Sequence, residues 1–468
     1  MYLAETSLLR KLLFAVALML IATATGWLVA KGAWLPLAGV LGLALLALWP
    51  AYLWLGVFVF LVPFDDVLAL QSGASGLTLT SLIGLVALFI LFGSFLALRR
   101  FRYPFSPAIA WFAFLSWETC TVLWSVDREV AIGRLPTMLS LFVFYLVVTC
   151  CHFSEKEVSR VARFAIFGGC VAAAITLIEF RSGIFYHNMN LRGSLVFGDR
   201  QADPNIFAAS LLLPLSLVVG EFLGSAKLQG KLLLSFCALL IVSGIFVTGS
   251  RGALLAIAVM LLIYLRKLGI NWRVLAPLTL MGGALMFVPA FLVQRLEQSE
   301  TTGGAGRLYI WQTGVAALKD YFLAGAGLDN FTVIYNDYSA HALHFAGLSR
   351  PAHNIFLQIA VESGVLGFLL FVFVIVSHLR CASLRDALSS GPERFRLIAC
   401  EAAVCGVLVA SFFLGLLWTK AFWIVWALLM VCSRAPRVEL LPIAPLSREV
   451  ADVFETSQSC DELVNSQA

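Results

Sequence analysis

The chain has six histidines, and one has a distinctive setting: His353 in Arg350-Pro351-Ala352-His353-Asn354, directly before a long apolar run. An imidazole at a helix start meets the positive end of the helix dipole. Its pKa falls, it is neutral at pH 7, and it can accept a proton. The plainer reading is a capping histidine, with Asn354 as a second capping candidate. His341 and His344 could join His353 around a metal, but no carboxylate pattern supports that, and we expect neither metal nor cofactor.

The loops 181–204, 248–252 and 294–353 hold seven arginines and one lysine: Arg181, Arg192, Arg200, Arg251, Arg295, Arg307 and Arg350, with Lys319. A guanidinium grips phosphate or carboxylate with a planar, two-bonded fork, whereas an ammonium is a point charge. The set therefore suggests an anion-binding surface, although any single member could be a solvated loop residue. Arg251 is the sharpest, in the turn Thr248-Gly249-Ser250-Arg251-Gly252 between two apolar stretches. A charge near the membrane needs a partner or a task, since burial at the bilayer centre costs ~2.5–3.5 kcal/mol. A salt bridge to a loop aspartate is the alternative. In Asp203-Pro204-Asn205, Pro204 suits a first helical turn and Asp203 an N-cap, which competes with a catalytic role. Asp65-Asp66 closes another apolar stretch and is the remaining pair to weigh for catalysis or metal.

The elements that must hold these residues are membrane helices. Hydrophobic residues make up 61% of the 468 and charged residues only 13%, against about 25% charged in soluble proteins. That excludes a soluble enzyme, a disordered chain and a coiled coil, and no basic run suggests nucleic acid as a partner. The ten cysteines show no C-x-x-C and no zinc spacing, so we expect no disulfide framework.

Crossing a ~30 Å bilayer core takes ~20 apolar residues. Fourteen stretches qualify as candidates: 11–30, 33–49, 51–70, 78–98, 106–124, 134–151, 160–180, 205–223, 231–249, 252–268, 273–293, 354–379, 397–417 and 419–433. Several are short, so about 12 crossings is an equal expectation. Basic clusters fall on alternate loops: Arg99, Arg100 and Arg102; Lys156, Arg160 and Arg163; Lys227 and Lys231; Arg266, Lys267 and Arg273; Arg380, Arg385, Arg394 and Arg396. The positive-inside rule makes that side cytoplasmic and the arginine-bearing loops periplasmic. The expected organisation is an N-terminal transmembrane bundle (1–293), a large periplasmic loop (294–353), C-terminal transmembrane helices (354–433) and a disordered cytoplasmic tail (434–468). Within the loop, Leu308, Trp311, Val315, Leu318 and Phe322 recur at helical spacing, which predicts a helix over 307–323.

Four motifs resemble those of the O-antigen ligase/polymerase superfamily. His353-Asn354, nine residues and Gly364 resemble its H-[NSQ]-x9-G signature. Arg251 with Leu255 resembles R-x-x-x-L, Asp203-Pro204-Asn205 the D-P-N element, and Gly306-Arg307 with Trp311 the G-R-x-x-x-W element. The match spans roughly 180–370.

The resemblance implies an all-α, GT-C-like polytopic protein of a bacterial inner membrane, with an active site facing the periplasm. It implies an inverting, metal-independent glycosyltransferase. The donor is a glycan on undecaprenyl diphosphate, and in the ligase branch the acceptor is lipid A–core. On that basis His353 is the base and Arg251 a catalytic cation. Arg192, Arg200, Arg307, Arg350, Asp203, Asn205 and Asn354 are candidates to bind the diphosphate or the glycan. An O-antigen polymerase and a protein O-oligosaccharyltransferase stay open as alternatives. A flippase for lipid-linked sugars belongs to another class. It predicts charges midway through several spans, where mainly Glu179, Glu362 and Glu401 occur.

Overall fold

A computed structural model describes residues 50–69, 78–98, 106–188, 192–269 and 306–434. The candidate spans 11–30, 33–49 and 273–293, Arg295, and the tail beyond 434 lie outside the described residues. Fourteen α-helices occur within them: α1 (Ala51–Leu61), α2 (Leu79–Leu98), α3 (Ser106–Thr121), α4 (Arg128–Cys150), α5 (Glu155–Arg181), α6 (Pro204–Ser210), α7 (Leu212–Gly224), α8 (Leu228–Thr248), α9 (Arg251–Leu268), α10 (Arg307–Tyr321), α11 (Phe331–Tyr338), α12 (Ile355–Asp386), α13 (Gly391–Ala410) and α14 (Lys420–Cys432). One two-stranded hairpin, β1 (Val196–Phe197) with β2 (Arg200–Gln201), is the sheet among them.

Among the described residues, five helical segments are long and apolar enough to cross a membrane: α4, α5, α6–α7 taken together, α8 and α12. The candidate span 205–223 is one such segment, interrupted at Leu211 between α6 and α7. The stretch 419–433 forms the 13-residue helix α14, with Phe422, Trp423, Val425, Trp426, Leu429 and Met430 all at most 1% exposed. A helix apolar all round belongs inside a bundle rather than against solvent. Trp423 of α14 stacks on Trp111 of α3 with ring centroids 4.5 Å apart. His378 is part of this core: its Nδ1–H donates to the Val374 carbonyl, and its Nε2 accepts from the Tyr145 hydroxyl at 2.8 Å.

Helix α13 packs on α9 and α7, α12 on α3, and α10 on α12. In α10 the helix forms as the spacing predicts, but a different face packs. Ile310, Thr313, Gly314 and Ala317 are buried, while Leu308, Val315 and Phe322 are 48–54% exposed. Both stripes repeat at helical spacing. The small residues win the packed face because they let α10 approach α12 closely.

Helix α12 is not continuous. Gly364 sits at φ 68°, ψ −170° and opens one turn. The segment after α10 fills the gap: the Val365 amide donates to the Phe322 carbonyl (2.7 Å), and the Ala326 and Gly327 amides donate to the carbonyls of Val361 and Glu362 (2.9 and 2.8 Å). Only glycine adopts this backbone comfortably. A Cβ at 364 would stand 2.4 Å from the Leu323 carbonyl oxygen. Gly364→Ala should therefore destabilise the protein by at least ~2 kcal/mol. The check is the yield and melting temperature of the monodisperse protein in detergent.

Asn330 fastens the same segment to the start of α4. Its amide NH2 donates to the Ser125 hydroxyl (2.8 Å) and the Asp127 carbonyl (3.1 Å), and its Oδ1 accepts from the Asp127 amide (2.7 Å). Asn330 is fully buried, so each of these bonds meets a polar group that would otherwise be orphaned.

Candidate functional site

The described residues that follow α5, 182–188 and 192–203, cap the ends of α5 and α8. The Tyr186 amide donates to the Arg192 carbonyl, and the Gly193 amide to the Val247 carbonyl at 2.7 Å. Arg192 then braces two motifs: its Nε donates to the Thr248 carbonyl at 2.8 Å and its Nη2 to the Asn205 Oδ1 at 2.8 Å. A cation on the last carbonyls of α8 also complements the helix dipole. Gly249, at φ 62°, ends α8 in the left-handed conformation, and Arg251 is the first residue of α9. The first turn of α9 has no side-chain cap from Ser250. Its amides and the Arg251 guanidinium thus begin the same helix end, an arrangement suited to anions.

Asp203 caps α6, with Oδ1 accepting from the Asn205 and Ile206 amides at 2.8 and 3.1 Å. Pro204 opens the helix, as the sequence predicts. The Asp203 backbone also acts on the Asp66 carboxylate and favours its charged form. Desolvation at the cavity wall first, and then the carboxylates of Asp65 and Asp203, push the pKa of Asp66, an exposed residue, up to about 6.

His353 is one residue outside α12, and the cap itself is Asn354, whose Oδ1 accepts from the Phe356 and Leu357 amides at 3.0 and 3.1 Å. His353 takes a left-handed φ of 46°, a conformation sparsely used outside glycine. It is clamped on both sides. Trp311 Nε1 donates to the Ala352 carbonyl at 3.2 Å, and the Ile355 amide donates to the Ser411 carbonyl at 2.9 Å. Burial lowers the imidazole pKa, the cations of Arg307 and Arg350 lower it further, and Asp203 acts in the opposite sense. These influences favour the neutral ring.

Aromatic contacts tie in the remaining motif. Trp311 lies 6.1 Å, ring to ring, from Phe413, and Phe413 lies against Gly252 at the start of α9. The elements 203–205, 251–255, 306–311 and 353–364, far apart in sequence, thus meet around one place.

Beside them lies a cavity of about 430 Å³. Ile206 and Phe207 of α6 form one wall, Asp65 and Asp66 stand at another, and Arg134 and Lys420 bring positive charge. Lys420 Nζ bonds both Asp65 carboxylate oxygens at 2.8 Å, and the Thr78 hydroxyl donates to Asp65. Arg134 pairs with Asp329, Nη2 to Oδ2 at 2.6 Å.

Of the residues predicted from sequence, His353, Arg307, Arg350 and Asp203 interact through space, and Arg192 joins Asn205 to the turn before Arg251. Asn354 is a cap. Arg200 sits in the β1–β2 hairpin, three residues before Asp203. Arg181 ends α5, exposed. Asp65 is engaged by Lys420. Sequence reasoning passed over Arg134 and Lys420. Arg134 and Lys420 each start a stretch read as a span, so a charge there looked like a boundary. Among the described residues, no three His, Cys, Asp or Glu side chains gather as a metal site.

No curated protein matches the chain. A protein-family model described as O-antigen ligase matches residues 236–372. That stretch runs from within α8 into α12 and includes Arg251, Arg307, Trp311, His353 and Gly364. The Asp203 element lies before it. With its apolar helices the chain is a helical, multi-pass membrane protein, and its residues 236–372 are similar to the O-antigen ligase family model.

Proposed function

We propose that the protein transfers an O-antigen glycan from undecaprenyl diphosphate to lipid A–core, at the periplasmic face of the inner membrane. The observation that carries this reading is His353, held in a left-handed backbone where the four motif elements meet, with Arg307, Arg350 and Asp203 acting on its imidazole. In the proposed step the acceptor hydroxyl oxygen attacks the anomeric carbon and gives its proton to His353. The bond from that carbon to the diphosphate oxygen breaks, and the configuration inverts. Negative charge then grows on the diphosphate. Arg251, Arg307 and the uncapped first turn of α9 would stabilise it, the kind of preorganised electrostatics that is usually the largest catalytic term. Arg192 acts as a positioning residue, because its bonds to Thr248 and Asn205 set the angle of that helix start. Arg200 and Arg350 line the approach for the glycan or its phosphates. The polar cavity beside Asp66 suits sugar hydroxyls.

The decisive experiment is a lipopolysaccharide gel of a deletion strain. Polymer that accumulates on the lipid carrier, with bare lipid A–core, supports ligation. Core bearing a single repeat assigns the protein to polymerisation instead. Purified protein should also transfer glycan in excess EDTA. Activity lost to EDTA and restored by Mg²⁺ or Mn²⁺ would replace the arginine-based step with a metal-based one.

The orientation has its own test. Alkaline phosphatase fused after Ser299 should be active and after Ser433 inactive. The reverse pattern would put the site on the wrong side of the membrane for a periplasmic donor.

A further inference from the structure

A second cavity, of about 720 Å³, lies at the opposite end of the bundle from His353. It is bounded by the early turns of α5 and α8, the end of α7 and the start of α13. Along α5, Arg163 at this cavity and Arg181 near the capping loop are separated by about 27 Å of helix, close to a bilayer's apolar thickness. The cavity therefore sits at one membrane surface and the candidate site at the other.

Its lining divides into two zones. One is ionic: Arg396, only 8% exposed, faces Glu221 with Nε to Oε1 at 3.0 Å. Beside this pair stands Arg163, exposed, whose contact is a 3.3 Å bond to Ser159 on its own helix. Arg163 makes no ion pair among the described residues. With Arg396 paired to Glu221, Arg163 is the guanidinium left to meet a ligand at the cavity. The nearby acids are engaged elsewhere: Glu393 pairs with Arg385, and Glu155 interacts with Glu393, Arg396 and Arg385 rather than with Arg163. Lys231, over the Phe222 ring at 5.8 Å, adds a cation at the rim.

The other zone is apolar and open sideways. Phe167 and Leu233 line it while remaining 61% and 64% exposed, and Ile166 and Leu234 form its floor. In a membrane helix such exposed groups face acyl chains. An exposed guanidinium with no ion pair among the described residues, beside an apolar groove that opens sideways, suits a phosphate anion with hydrocarbon tails. We propose that this cavity binds a single anionic glycerophospholipid, with its phosphate on Arg163 beside the Arg396–Glu221 pair and an acyl chain along Phe167 and Leu233. The proposal rests on the chain being a membrane protein and is independent of the transfer reaction.

The test uses the full-length protein in a mild detergent, delipidated and then titrated with phosphatidylglycerol, phosphatidylcholine or inorganic phosphate. The readouts are melting temperature and lipid adducts in native mass spectrometry. Phosphatidylglycerol should raise the melting temperature and give one retained adduct. Phosphatidylcholine and inorganic phosphate should do neither. Arg163→Ala should weaken retention roughly tenfold or more, as loss of a charge-assisted bond predicts, with the lipid-free melting temperature unchanged because the side chain is exposed. Arg160→Ala, which removes an equal charge from the same helix, should retain the lipid. Equal stabilisation by phosphatidylcholine, or undiminished retention in Arg163→Ala, would overturn the proposal. A response to inorganic phosphate as large as that to lipid would reduce the site to a free-anion site and overturn it as well.

Discussion

His353→Ala should lower the rate of glycan transfer by roughly 10²–10⁴, the usual worth of a general base, while donor affinity changes little. The separation follows from the division of labour in the site: the arginines hold charge, and the imidazole holds a proton only during the step. The pH profile gives the sign independently. His353 must be neutral to act, and burial with Arg307 and Arg350 depresses its pKa. Transfer should therefore be flat near pH 7 and fall on acidification, with a midpoint below the ~6.5 of a free imidazole. Asn354→Ala controls for structural damage. It removes the cap of α12, costs about 1 kcal/mol of stability, and should leave the acidic limb where it was. A variant His353→Ala that transfers at near wild-type rate with saturating substrates would remove the imidazole from the chemistry. Asp66, with its pKa pushed up to about 6, would then be the next base to test.

Arg251→Ala should cost at least 10²–10³ in transfer rate, about what removal of one preorganised donor to a developing oxyanion costs. The protein should still insert and fold. Arg251→Lys keeps the charge but loses the planar fork, so it should recover only a small part of the activity. Arg192→Lys makes a useful comparison. Arg192 is braced on Thr248 and Asn205, so its loss should act through the placement of α9. The effect should then be a mixed change in affinity and rate. Full activity in Arg251→Ala, with purified protein and defined lipid-linked donor, would leave Arg251 a structural role only.

The local structure around the candidate residues could be read in the sequence, and their mutual placement depended on distance. Asp203, Pro204, Asn354, Gly249 and Arg251 behave as local sequence dictates, because capping, a fixed proline φ and a left-handed glycine are decided within a few residues. The helix over Arg307–Tyr321 was legible for the same reason. Its packed face was not, since two stripes share the helical period and only the neighbour α12 selects between them.

The sequence by itself determined that this is an apolar helical protein with arginines gathered in a few loops, and it singled out His353 and Arg251 as candidates. Composition and short-range spacing carry that information. Tertiary structure alone decided the left-handed backbone of His353, the opening of α12 at Gly364 and the bracing role of Arg192. It also brought Lys420 onto Asp65 and Arg134 onto Asp329. Each of these is set by a contact between elements tens to hundreds of residues apart. Whether a charge is paired, buried or poised depends on what the fold places against it, and no local pattern encodes that.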